Sequence, residues 1–314
     1  MGAVHGAIVQ RTSRYFRQYG DHIATLLDSR DDKKLALTIG EDIIKRGKIK
    51  KDRVPKIVDT LIRRTTDIYW AHEVIREDEV VSPSKLSANF DPVYTVVAAL
   101  SPGKLRNEET GQIVEAMQIS VVTSEVTKNC VTIIETNTGV QLNFHAIARL
   151  EEREIEVNPL HGLSGNLSQI LTFTTLMSMV CGEEDRENFV IPYGQHLLFG
   201  RFCIANCEPG SQQWGVMLQS HKAEAKNIGN LDWMPLYEIR TAVSFDELGQ
   251  DQDDLRDAIW HFADSHLDDI NTMFEALYMP QITVKKDVDI AGITKQIRKD
   301  FEPIKRMSAW IRNK

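Results

Sequence analysis

Apolar positions change period along this chain. Near both ends they recur at three- and four-residue steps, which is helical; in the middle they cluster in short β-branched and aromatic runs, which favour strands. Ile23, Leu26, Leu27, Leu35, Leu37, Ile39, Ile43 and Ile44 give a broken helical pattern. Asp52 and Pro55 then open an amphipathic helix that runs through Ile57, Val58, Leu61, Ile62, Thr65, Ile68 and Tyr69. Strands are predicted over 92–100, where Ser101-Pro102-Gly103 ends the run, and over 113–122, 130–135 and 140–144. Asn137-Thr138-Gly139 supplies turn chemistry between the last two. A helix follows from His145. Residues 163–180 are helix-like and almost uncharged, which predicts burial against a sheet or another subunit.

Further on, 189–204 reads as two strands around Pro192-Tyr193-Gly194. Residues 214–219 and 236–244 are two more, with the polar segment 220–230 as a connector. A single helix is predicted over 253–278, with Leu255, Ile259, Phe262, His266, Ile270, Met273, Phe274 and Leu277 on its stripe. Ile290, Ile293, Ile297, Phe301, Ile304, Met307 and Ile311 make a coiled-coil-like seam interrupted by Pro303. The expected class is α+β: a mainly antiparallel sheet core flanked by N-terminal and C-terminal helices. Ser82-Pro83-Ser84 sets the first boundary. The division is a helical region over 1–82, an α+β core over 83–248 and C-terminal helices over 249–314.

Charge refines this picture. A net charge of −8 hides two basic patches and an acidic one. Residues 45–64 hold nine basic and two acidic side chains, and 285–314 hold nine basic and four acidic; 251–275 carry eight acidic ones against Arg256 alone. Such patches can meet phosphate, each other or a second subunit. The C-terminal helix is therefore expected to dock on the protein's own acidic helix or on a protein partner, a second copy included. No apolar run approaches the roughly 18–20 residues that span a bilayer, and the N-terminus lacks a signal-peptide core. The expectation is a cytoplasmic protein with no membrane partner. Cys130, Cys181, Cys203 and Cys207 form no CxxC pair, so reduced thiols are expected, with neither a zinc site nor a cofactor.

The phosphate-binding, dinucleotide, zincin and hydrolase-elbow motifs are absent. Candidate chemistry sits at His145, Arg149 and Arg153, four residues apart on one helical face. Imidazole moves protons near neutral pH, and guanidinium forks fit phosphate oxygens. Together they could bind a phosphodiester and support cleavage without a metal. A ribose 2′-hydroxyl would attack phosphorus while His145 handles the proton, and an arginine would stabilise the charge on the phosphoryl oxygens.

His145-Ala146-Ile147-Ala148-Arg149 with Arg153, Phe199-Gly200-Arg201 and Ile239-Arg240-Thr241 together resemble motifs of the barnase/EndoU/colicin/RelE-like ribonuclease toxin superfamily. The resemblance spans about residues 130–245. It implies RNA as substrate, His145, Arg149, Arg153, Arg201 and Thr241 as site residues, and a toxin or defence role. The same stretch allows another reading. Glu151, Glu152 and Glu154 could pair with the arginines along the helix, leaving a non-enzymatic nucleic-acid-binding or oligomeric assembly protein.

Overall fold

A computed structural model of the chain describes residues 48–49, 51–60, 71–77, 92–106, 113–127, 130–157, 166–181, 189–206, 212–219, 222–230, 233–279 and 288–312. The helical pattern predicted over 23–44, the second half of the 57–69 stripe and the Ser82-Pro83-Ser84 boundary lie outside them. Within the described residues, helix α1 covers 54–60 and buries Val54, Ile57 and Val58.

Among the described residues, nine strands form one sheet. They are β1 (Ala71–Glu77), β2 (Val93–Arg106), β3 (Ile113–Val126), β4 (Val131–Leu142), β5 (Phe189–Tyr193), β6 (His196–Asn206), β7 (Gln212–Gln219), β8 (Lys222–Asn230) and β9 (Trp233–Val243). The main path runs β1-β2-β3-β4-β9-β6-β5. The sheet forks at β4: residues 131–135 pair antiparallel with β7, which pairs with β8, and residues 140–142 pair with β9 in parallel. The class is α+β as the periodicity predicts, but the sheet is mixed, and β4–β9 is the parallel pair among the described strands.

Leu100, Ile119, Val140, Tyr237 and Phe202 lie side by side across β2, β3, β4, β9 and β6, all buried. Their face carries the core. The other α-helices among the described residues are α2 (Phe144–Val157), α3 (Leu167–Val180), α4 (Gln250–Ser265), α5 (Leu267–Tyr278) and α6 (Ile290–Arg312). Helix α3 is the central one, touching the sheet, α5 and α6. Its uncharged composition is explained by burial, since Ile170, Leu171, Phe173, Leu176 and Met177 all sit in the core. Helix α6 packs its buried Ile297 and Phe301 on α3 and the acidic α4, and Arg298 Nε donates to the Met179 carbonyl at the end of α3. Sheet, α3, α4, α5 and α6 thus share one apolar cluster.

Several sequence expectations differ from the structure. Residues 71–77, assigned to the helical region, form edge strand β1. Ser101-Pro102-Gly103 does not end β2, which keeps its pairing with β3 through Pro102–Met117 and Gly103–Ala116 and runs on to Arg106; proline removes one N–H but leaves its carbonyl and its neighbours to pair. The polar segment 222–230 is β8, which pairs antiparallel with β7. The helix over 253–278 breaks at His266 (φ −121°, ψ 22°), which ends α4 and opens α5. Pro303 does not interrupt α6, because Phe301 before it and Ile304 after it pack on the same core.

Candidate functional site

Asn137-Thr138-Gly139 is a bulge inside one continuous strand rather than a turn between two. Ile119 pairs with Val140 while Ser120 pairs with Asn137, so Thr138 and Gly139 are extra residues on β4. The bulge is held by its own side chains. Thr138 Oγ1 donates to the Ile119 carbonyl at 2.6 Å, and Gly139 N donates to Asn137 Oδ1 at 2.9 Å. Gly139 adopts φ +74°, which explains the glycine. Beyond the bulge β4 leaves β7 behind and meets β9.

Helix α2 starts where β4 stops. Asn143 makes both connections: its N–H donates to the Ile239 carbonyl at 3.1 Å, and its Oδ1 accepts from Ala146 N at 2.7 Å as an N-cap. Ala146, Ile147 and Leu150 are buried in the core, so the helix can turn His145 and Arg149 the other way. His145 is exposed and Arg149 half-buried. Arg153 lies on α2, but its side chain, with those of Glu151, Glu152 and Glu154, falls outside the described residues.

The parallel pairing fixes where the downstream candidates fall. Leu142 pairs with Ile239, so Thr241 lies just past Ile239 as His145 lies just past Asn143. The first turn of α2 and the last residues of β9 therefore share one end of the sheet. Thr241 is half-buried and pairs with Phe199.

Arg201 is two register rows further back, on the sheet face opposite the core. Its Nε lies 2.6 Å from Glu238 Oε2, an ion-pair contact rather than a well-aligned hydrogen bond. The same carboxylate oxygen accepts from Arg240 Nε at 3.3 Å and Nη2 at 3.2 Å. One carboxylate thus serves two guanidinium groups. The Arg201 side chain is 9% exposed and that of Arg240 45%, so the cluster runs from interior to surface. A second bulge creates it: Phe199 pairs with Thr241 and Gly200 with Ile239, which leaves Arg240 as the extra residue. Gly200 is required there, because a Cβ would collide with the Glu238 carbonyl oxygen.

Glu238 and Arg201 continue a polar row, Gln118–Gln141–Glu238–Arg201, across β3, β4, β9 and β6. Asn137 Nδ2 donates to Gln118 Oε1 at 3.5 Å, and among the described residues the buried Gln141 Oε1 has no hydrogen-bond partner. The sequence reading missed Glu238, Arg240 and Gln141. A signal was present: in a strand, Glu238 and Arg240 share a face by two-residue alternation.

On the core side, Tyr237 and Tyr278 lie together under the fork. Burial, then the neighbouring Tyr278 and Cys181, push the Tyr237 phenol well above its ordinary range, and hydrogen bonding with Ser178 pulls the other way. Burial likewise raises Tyr278, offset in part by a hydrogen bond with Thr175. Both are neutral phenols at physiological pH, used for packing and hydrogen bonding. Among the described residues no cluster of His, Cys, Asp and Glu has the makings of a metal site, and no helix is long and apolar enough to cross a membrane. Among the described residues, Cys130 and Cys181 are not in disulfides. No protein-family model, no curated protein and no solved structure matches the chain, so its candidate chemistry rests on its own residues.

Proposed function

We propose that the sheet end shared by α2 and β9 handles an RNA phosphodiester and that the activity is RNA cleavage. The observation that carries this reading is the parallel β4–β9 pairing, which brings the His145 turn and Thr241 to one end although the sequence separates them widely. In this reading the exposed His145 imidazole takes the proton from the attacking 2′-hydroxyl or returns one to the leaving oxygen. The Thr241 hydroxyl donates to a phosphoryl oxygen, and Arg149 and Arg153 add positive charge from the α2 side. The attack is internal to the substrate, so the chain has to orient the ribose and phosphate and move protons. The toxin or defence setting belongs to the same proposal.

A second reading, RNA binding without cleavage, is favoured by one specific observation. Arg201 already faces a carboxylate at 2.6 Å, which reduces what it can offer a phosphate. One experiment separates the two: incubation of a single-stranded RNA with the full chain and with His145→Ala. Cleavage by the wild type and a loss of about a hundredfold or more in the variant supports the enzyme. Equal cleavage by both removes His145 from the mechanism, and binding without cleavage by the wild type establishes the second reading.

A further inference from the structure

We propose that the polar row across the sheet, Gln118–Gln141–Glu238–Arg201, reads the edge of a nucleobase, and that the Gln141 carboxamide is the group that pairs with it. The inference rests on the phosphodiester reading and adds to it a subsite for the base beside the phosphate.

Direction places the row beside the phosphate contact. Ala242 belongs to the core cluster, so strand alternation turns Thr241 to the opposite face, the one that carries Glu238 and Arg201. Thr241 is three residues beyond Glu238 on the same strand, a span of about 10 Å. Burial singles out Gln141. It is 6% exposed, and among the described residues its Oε1 has no donor. A buried acceptor without a donor is unfavourable in the protein alone, and a ligand N–H relieves it. The row is not sealed, because Gln118 and Glu238 on either side of Gln141 are half-buried. Chemistry names the ligand class. A carboxamide is uncharged and sets a donor beside an acceptor, which is the pattern of a nucleobase edge and not of a phosphate. Asn137 Nδ2 reaches Gln118 Oε1 at 3.5 Å, so a second amide is held beside the first. Glu238 already serves Arg201 and Arg240, which leaves the recognition to the amides. Bases of single-stranded RNA are unstacked readily enough to offer such an edge.

The test compares two fluorescently labelled probes on the full chain by anisotropy: a short single-stranded RNA, and an abasic ribose-phosphate oligomer with the same number of phosphates. The wild type is expected to bind the base-bearing strand about tenfold more tightly, the range of one good pairing between a side chain and a base. Q141L keeps the size of the side chain and removes the amide. The preference should vanish in it, while the melting temperature stays level or rises because the unsatisfied acceptor is gone. A glutamine with only a structural role would show the reverse, a loss of stability with the preference intact. Q118A, at a half-buried position, should reduce the preference about threefold, and it gives the same reading if Q141L does not fold. Equal binding of the two probes by the wild type overturns the base subsite. So does an undiminished preference in folded Q141L, or in Q118A, and Gln141 then meets a buried water only. In each of these cases the phosphodiester reading stands. No binding of either probe by the wild type overturns this inference and the proposed function together.

Discussion

The Tyr278 hydroxyl donates to the carbonyl oxygen of Thr138, 3.4 Å away and 140 residues back along the chain. Tyr278 ends α5, and Thr138 is the bulge at which β4 exchanges β7 for β9. The helical layer thus fastens to the sheet at the fork. A bulge leaves backbone groups out of the ladder, and a buried carbonyl without a partner is costly.

The phenols at this point make stability depend on alkaline pH. Unfolded Tyr237 and Tyr278 ionise near the ordinary value of 10.0, whereas burial raises both in the fold. Their contribution is fully present below pH 10 and is lost as pH rises above it toward the folded values. The expected decline is about 1.4 kcal/mol per pH unit for each phenol. Urea titrations between pH 8 and pH 11.5 should show it. Tyr278→Phe should cost about 1 kcal/mol at pH 7 and remove about half of the alkaline slope. An unchanged slope would show that Tyr278 titrates normally.

Glu73 on β1 caps α3 from 95 residues away. Its Oε2 accepts from Ser168 N and its Oε1 from Ser168 Oγ, each at 2.6 Å. A carboxylate at a helix N-terminus satisfies open N–H groups and meets the positive end of the helix dipole. Glu73→Ala is expected to destabilise the protein by about 1.5–3 kcal/mol, and hydrogen exchange should accelerate first at the Ser168 amide. Equal exchange rates at that amide in both proteins would count against the cap.

Gly200→Ala tests the β6–β9 bulge. The added methyl meets the Glu238 backbone, which cannot move without disturbing the Arg201 and Arg240 contacts. A cost of about 1–3 kcal/mol in thermal or urea unfolding is expected. A variant of wild-type stability would mean that β9 shifts freely there.

The sequence made the element types legible where one period held over many residues. The uncharged stretch around Leu171 and Met177 is a buried helix, and the β-branched runs of β2, β3 and β4 are strands. It failed where a local signal competed with pairing. Asn137 and Gly139 have turn chemistry, yet β3 continues alongside them, so the same residues make a bulge. Pro102 and the polar β8 read as breaks because periodicity within one segment does not encode the backbone pairing that β3 and β7 supply. His145, Arg149 and Arg153 were visible as helix spacing. The Arg201–Glu238–Arg240 cluster depends on register between β6 and β9, which spacing within one segment does not encode.

The parallel join between β4 and β9 also governs when the candidate site exists. Hairpins β2–β3 and β3–β4 close over short loops, whereas β4 meets β9 only after almost a hundred intervening residues have been made, and such distant pairings form late. A nascent chain that ends at Asn230 already contains His145 and Arg201 but lacks Glu238, Arg240 and Thr241. An activity on RNA built this way would stay silent while the ribosome is still translating it, and would switch on only with about the last quarter of the chain in place.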